Sequence, residues 1–282
     1  MELLQLRSAT LVLQLGEHRL LVDPMLAETG ALPGFKVVGG GRRRNPIVPL
    51  PAVTPAALDG LTGALVTHEH PDHLDVAGLR WLRERGLPVW TNHVDAPSLA
   101  KKGLDARVLT DGALGLRVET VASRHGRGLL GWLMGPVSGF YLSHPGEPSL
   151  YLIGDSVLTE PVLDAVRRLD PDVIVAPAGA ANMGFGGDIL FSVDELVTLG
   201  RASRGQLVFN HLEALDHCPT TRAGLHARLA EEGLLERSHI PADGETLTFD
   251  ERRSRGGAEL RSGVSRRPTL QKWVTGLFAP SP

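Results

Sequence analysis

The sequence predicts an α/β fold with β-sheets inside and helices outside. Strand-like apolar runs crowd its first half, and strands and helices alternate through its second. With 282 residues, 42% of them hydrophobic and 22% charged, the chain can bury the core of one large domain. Glu2–Leu6, Thr10–Leu15 and Arg19–Val22 read as strands, the last two joined by Gly16-Glu17-His18 as in a hairpin. Asp23-Pro24 ends the third run. Residues 28–60, rich in glycine and proline and containing GGGRRRNP, read as an extended irregular loop. Leu61–Thr67 has the character of a buried strand, and Val76–Arg85 that of a helix closed by Gly86. A strand at Pro88–Thr91, a short helix at Asp95–Lys102, and strands at Arg107–Leu109 and Leu114–Ala122 follow. Further strands are expected at Gly139–Ser143, Ser149–Ile153, Val173–Ala176 and Gln206–Asn210, with helices at Glu160–Arg168, Val193–Ser203 and Thr221–Glu232. No internal repeat interrupts this order.

Charge divides the chain. Residues 251–282 hold seven basic and two acidic side chains, net +5, so residues 1–250 carry −8 of an overall −3. An acidic body without a recognisable RNA-binding module argues against a nucleic-acid partner. No run approaches the roughly 18 apolar residues of a membrane span. Cys218, the single cysteine, excludes an internal disulfide, and the first residues lack the pattern of a secretory signal, so a reducing, cytoplasmic setting is expected.

The chemistry concentrates in LVTHEHPDHLD, residues 65–75. Behind the strand ending at Thr67, His68 and His70 project to the same side of an extended segment and can reach one cation. Asp72 and His73 lie on the turn beyond and can face a second. Imidazole and carboxylate suit zinc, manganese or iron better than calcium or magnesium. A solvated loop capping the next helix would explain one histidine, but not His-x-His-x-Asp-His directly behind an apolar strand.

THEHPDH matches the His-x-His-x-Asp-His signature of the metallo-β-lactamase-fold hydrolases, and the resemblance continues through most of residues 1–250. HRLLVDPML resembles that superfamily's second hairpin, and SLYLIGDSVLTEPVLDAV the strand whose terminal Asp bridges two metals. PDVIVAPAGAA, VFNHLEALDHCPTTRAGL and IPADGETL resemble the branch containing ascorbate-6-phosphate lactonase-like proteins and the N-acyl phosphatidylethanolamine-hydrolysing phospholipase D. The resemblance implies a four-layer αββα sandwich of two mixed β-sheets flanked by helices. It also implies two Zn²⁺ ions, with Mn²⁺ or Fe as alternatives. His68, His70 and His125 would hold one metal, Asp72, His73 and His211 the other, and Asp155 would bridge them. His144 competes with His125, and His217 with His211. Asp23 has no place as a ligand and is expected to hydrogen-bond a ligating histidine or simply form a turn. His18, His93, His226 and His239 are explained as surface or packing residues, and Cys218 as a small packed one.

The implied activity is hydrolysis by a metal-activated hydroxide of an ester, lactone or phosphodiester in a small, anionic substrate. Asp72 would orient the hydroxide and move its proton, and His217 or water would protonate the leaving group. Arg42, Arg43 and Arg44 could grip an anionic group or form a solvated basic loop, and Ala180–Leu190 could be a mobile wall of the pocket. A non-catalytic metal-binding scaffold and a nucleic-acid-processing relative are the alternatives. Residues 1–250 form the expected hydrolase domain, and residues 251–282 a basic linker and amphipathic C-terminal segment. Leu270, Trp273, Val274, Leu277 and Phe278 recur at helical spacing there, a stripe expected to dock on the body or on a twin subunit, with a membrane surface or another partner as alternatives.

Overall fold

The structure, a computed structural model, describes residues 1–253, so the stripe from Leu270 to Phe278 lies outside the described residues. Strands β1 (Glu2–Arg7), β2 (Thr10–Leu15), β3 (His18–Val22), β4 (Gly63–Leu65), β5 (Pro88–Thr91) and β6 (Asp105–Val108) form one sheet in that order. Strands β7 (Arg117–Arg124), β8 (Pro136–Ser143), β9 (Leu150–Leu152), β10 (Val173–Pro177), β11 (Gln206–Asn210) and β12 (Ser238–His239) form the other, and β13 (Thr246–Thr248) returns to the first beside β1. Both sheets are mixed. β1, β2 and β3 run antiparallel to one another and β3 to β6 run parallel, while β7, β8 and β9 are antiparallel and β9 to β12 run parallel.

The period-two alternation of side chains builds the layers. Leu11, Leu13, Leu15, Leu20, Val22 and Leu65 of the first sheet share one buried cluster with Phe140, Leu142, Leu152, Val175 and Val208 of the second. Their neighbours in sequence face outward. Val12, Leu21, Ala64 and Val89 meet α1 (Thr54–Ala57), α2 (Val76–Arg85) and α3 (Ala96–Lys101). With α4 (Gly128–Met134) between β7 and β8, the outer face of the second sheet packs Tyr141, Tyr151, Ile174 and Phe209 against α5 (Glu160–Leu169), α6 (Val193–Ala202) and α7 (Arg222–Glu231). This is the αββα sandwich expected from the resemblance. Each fully buried Leu, Val or Phe contributes about 1.5–3 kcal/mol, so the inter-sheet layer and the two sheet–helix layers all stabilise the fold.

Local details differ where turn chemistry competes with pattern. The β2–β3 hairpin turns on two residues, since Leu15 pairs with His18, with Gly16 at φ +58°. A 3₁₀ turn at Ala113–Gly115 delays β7 to Arg117. Helix α4 was not legible, because GLLGWLM is apolar on every side and therefore shows no helical stripe. Its Leu130 and Gly131 are buried, whereas Leu129, Trp132 and Leu133 face solvent.

The long passage before β4 is anchored at both ends. Buried Arg7 donates to the carbonyls of Met25, Ala27 and Val48. At the far end the buried carboxylate of Asp216 accepts from the backbone N–H groups of Phe35, Lys36 and Arg43 and from the Asn45 amide. At the other pole Arg253 donates to the carbonyls of Asp170 and Pro171, so the expected linker begins docked beneath β10.

Candidate metal centre

Parallel strands place their C-terminal ends on a common edge, and the two sheets bring those edges together. His68, His70, Asp72 and His73 follow β4, His125 follows β7, Asp155 follows β9 and His211 follows β11. Asp75 caps α2 by accepting from the backbone N–H of Gly78 at 2.7 Å, and its other oxygen accepts from that of Ala27 at 2.7 Å. The polar segment thus contains both a helix cap and a metal-competent cluster. Gly78 has a steric reason: a Cβ there would meet the Pro24 carbonyl oxygen at 1.9 Å.

All seven expected ligands come together. Donor atoms of His68, His70 and His125 lie within 4.8 Å of one another, as do those of Asp72, His73, Asp155 and His211. Asp155 stands between the groups. Its Oδ2 is 3.3 Å from His125 Nε2 and 4.0 Å from His68 Nε2, while its Oδ1 is 3.1 Å from His73 Nε2 and 3.7 Å from His211 Nε2. Asp72 Oδ2 lies 3.5 Å from His211 Nε2. All are buried except His70, which is half-buried. Buried His73 Nε2, Asp155 Oδ1 and His211 Nε2 face one another without forming a hydrogen bond. Such orphaned atoms carry a large desolvation cost, and a divalent cation among them would satisfy all three. The residues therefore fit a metal.

Electrostatics agree with that fit. Burial pushes the pKa of His68 and His125 below the ordinary imidazole value. Burial acts the same way on His73, but the carboxylates of Asp155 and Asp23 outweigh it and raise its pKa to about 10. His211 is raised for the same kind of reason, Asp155 overcoming burial. For Asp72 and Asp155 burial alone would favour the neutral acid, but His211 and His73 hold both carboxyls well below the usual range. The carboxylates are therefore ionised, and a metal need displace protons only from imidazoles.

Supporting contacts fix the ring orientations. Asp23 Oδ2 is 2.9 Å from His73 Nδ1, and its carboxylate accepts from the backbone N–H and hydroxyl of Thr67. The hydrogen-bonding option for Asp23 is thus the one realised. His125 Nδ1 lies 2.8 Å from the Ile189 carbonyl, and Cys218 Sγ 3.6 Å from His211 Nδ1. Thr67, the Ile189 carbonyl and the Cys218 contact were not foreseen, since none belongs to a recognisable spacing. Only the position of Thr67, directly before His68, was a usable signal. His211 and Asp23 adopt φ of +58° and +46°, left-handed backbone at two residues of the centre. Gly179 permits the close packing there, because a Cβ would meet the His211 carbonyl at 2.4 Å.

The competing histidines separate clearly. His144 packs against Gly16 and lies 4.0 Å from Glu147, away from the cluster. His217 joins the site without joining either donor group: its ring stands edge-on to Phe35 and its buried Nδ1 has no hydrogen bond. His18 meets the Leu114 carbonyl, His239 meets Gln206, and His93 and His226 are exposed.

The cluster floors a cavity of about 270 Å³, lined by His70, Asp72, His125 and His217 below and by Phe35, Pro71, Leu133, Met134, Met183 and Ile189 around. Among the described residues no arginine or lysine lines it. Arg42 and Arg44 instead donate to carbonyls of their own loop, at Gly34, Gly30 and Ala31. Of the two readings of this loop, Arg42 and Arg44 thus follow the one in which it is a surface loop. The Ala180–Leu190 segment does form a wall, through Met183 and Ile189.

Facing mixed sheets with a His/Asp cluster at their shared edge define a metal-dependent hydrolase of the metallo-β-lactamase fold. The chain belongs to the beta-lactamase superfamily domain family, whose profile matches residues 18–211. It is 31% identical over 255 residues to the UPF0173 protein YddR of Bacillus subtilis, covering 88% of this chain and 100% of that one. It is also similar to the solved structure of an isothiocyanate hydrolase from Delia radicum gut bacteria, with 32% identity and a TM-score of 0.81, covering 88% of this chain and 99% of that one. A possible metal-dependent hydrolase from Veillonella parvula gives 27% identity and a TM-score of 0.82 over the same shares. Among the described residues no helix is long and apolar enough to cross a membrane.

Proposed function

We propose that this chain hydrolyses a small, neutral electrophile at a centre of two transition metals, zinc in preference and manganese or iron otherwise. His68, His70 and His125 hold one metal, Asp72, His73 and His211 the other, and Asp155 spans them. The observation that carries this reading is the placement of Asp155, whose two oxygens face different imidazole sets at 3.3 and 3.1 Å. Metal pairs of this kind supply Lewis acidity and bring the ionisation of water near neutral pH.

The chain's own groups supply the rest. Asp72 lines the cavity and stays ionised, so its carboxylate can orient the attacking water and take its proton. His217 lines the cavity, its ring edge-on to Phe35 and its Nδ1 3.9 Å from the Asp216 carboxylate, so the imidazole is a candidate to hydrogen-bond the leaving group. The walls of Phe35, Leu133, Met134, Met183 and Ile189 are apolar and suit an uncharged substituent on the substrate. That lining is consistent with a neutral carbon electrophile such as an isothiocyanate, ester or lactone more than with a phosphodiester, and the likeness to an isothiocyanate hydrolase supports the isothiocyanate among them.

The test is metal analysis joined to a panel of isothiocyanates, carboxylic esters, lactones and phosphodiesters, with Asp72→Asn as control. About two metals per chain and turnover of a neutral substrate that Asp72→Asn abolishes are expected. Turnover confined to phosphodiesters, or a chain saturated by one metal, would overturn the substrate class or the dinuclear reading respectively.

A further inference from the structure

Two cavities meet at one side chain. Leu133 lines both the metal-floored cavity and a second groove of about 360 Å³, bounded by Arg127, Gly128, Leu129, Leu130, Phe185 and Gly186. The groove lies between the first turns of α4 and the 180–190 segment, and Gly186, at φ +74°, lets that segment approach to where a Cβ would stand 3.1 Å from Leu130. Ten large hydrophobic residues are exposed among the described ones, and six of them, Val37, Val38, Leu129, Trp132, Leu133 and Phe185, belong to the segments around this mouth. Val37 and Val38 reach it by donating their backbone N–H groups to the carbonyl of Met183, a lining residue. Exposed apolar side chains gathered at one opening mark a binding groove rather than ordinary surface.

Volume and charge say what would fill it. A cavity of about 270 Å³ falls below the usual range of about 300–1,000 Å³ for small-molecule sites, whereas the two spaces together fall inside it. The one charged residue of the groove among the described residues, Arg127, is already engaged by Glu195 and the Leu158 carbonyl. Leu133 is 62% exposed, so a rotamer change can open the passage without disturbing the core.

We propose that the groove is a second substrate subsite that takes a neutral hydrocarbon arm. The substrate is then an electrophile with an extended alkyl or arylalkyl substituent, whose head reaches the metal floor and whose arm crosses Leu133. This rests on the hydrolase reading above for the head, but the arm's subsite stands on its own geometry.

The test uses metal-loaded, full-length protein with two series of probes. Binding of 1-butanol, 1-hexanol and 1-octanol is followed by calorimetry, and kcat/KM is measured for the n-butyl, n-hexyl and n-octyl isothiocyanates. Alkanol affinity is expected to rise by up to about fourfold per added CH₂, the factor for a fully buried methylene. Leu129→Ser and Phe185→Ser, at positions 73% and 47% exposed where folding is not at stake, should each cut that rise by half or more. They should also lower the octyl-to-butyl ratio of kcat/KM. An affinity that does not grow with chain length, or a growth that both variants retain, overturns the subsite. Failure of every isothiocyanate to turn over, beside a chain-length dependence that the variants abolish, overturns the proposed head chemistry and upholds the subsite.

Discussion

The floor and the rim of the cavity are built on opposite principles. Floor residues sit at strand ends, nearly all buried, with Asp23, Thr67 and the Ile189 carbonyl holding their rings. Rim residues lie on α4 and two long connections, and Val37, Val38, Leu129, Trp132 and Phe185 remain in solvent. The difference teaches how labour divides in this fold. Sheet edges give donor atoms the sub-ångström constancy that metal chemistry demands, while loops are free to set what enters.

If the floor is pre-organised, its centre should be the most sensitive point. Asp155→Ala is expected to reduce metal content from about two ions per chain to about one or none and to abolish hydrolysis, read by elemental analysis. Asp72→Asn should lower kcat on the order of 10²–10⁴-fold, the usual contribution of a positioned acid or base, with only partial metal loss. Equal loss of metal and activity in Asp72→Asn would reduce Asp72 to a ligand. Asp23→Asn, one contact further out, should weaken metal affinity by about 10–100-fold in a chelator competition, as removal of a carboxylate partner from a ligating histidine does.

His217 sharpens the boundary between floor and rim. His217→Ala should cut turnover by on the order of 10²-fold, comparable to removal of one hydrogen-bond donor from a reacting site, while metal content stays whole. Loss of metal in His217→Ala but not in His211→Ala would exchange their roles.

The smallest effect on chemistry is expected where the rim is tied down. Burial alone would raise the carboxyl of Asp216, but hydrogen bonds from Asn45 and from the backbone of Arg43, Phe35 and Lys36 hold it below its ordinary value of 3.8. A depressed folded-state pKa contributes stability that is present above about pH 3.8 and is lost as pH falls through the folded value. Asp216→Ala should therefore cost at least about 1.5–3 kcal/mol at neutral pH, the worth of one hydrogen bond to a charged group, with the metal site still formed. The difference in denaturation midpoint between wild type and variant should shrink below pH 3.8; a constant difference would mean that its carboxylate charge does not hold the loop.

Legibility in the sequence followed the same divide. His68, His70, Asp72 and His73 are contiguous, so spacing alone pointed to a metal, whereas His125, Asp155 and His211 were placed through the resemblance and share only their position after a strand. Strands β2, β10 and β11 were readable as near-continuous apolar runs because both faces of each are buried against different layers. Helix α4 escaped because a short segment apolar on all sides has no period to detect.

By itself the sequence determined the strand order along the chain, the cap and close of α2, and the chemical character of the donor set. Those follow from interactions between residues near in sequence, which local pattern and turn chemistry encode. Only the tertiary structure decided that Asp155 stands between two imidazole groups, that His217 and not His144 joins the site, and that Arg42 and Arg44 bond to their own loop. These depend on how two sheets from distant parts of the chain pack edge to edge, and the inter-sheet layer that sets this packing is specified by volume and burial shared among many residues, which no single stretch records.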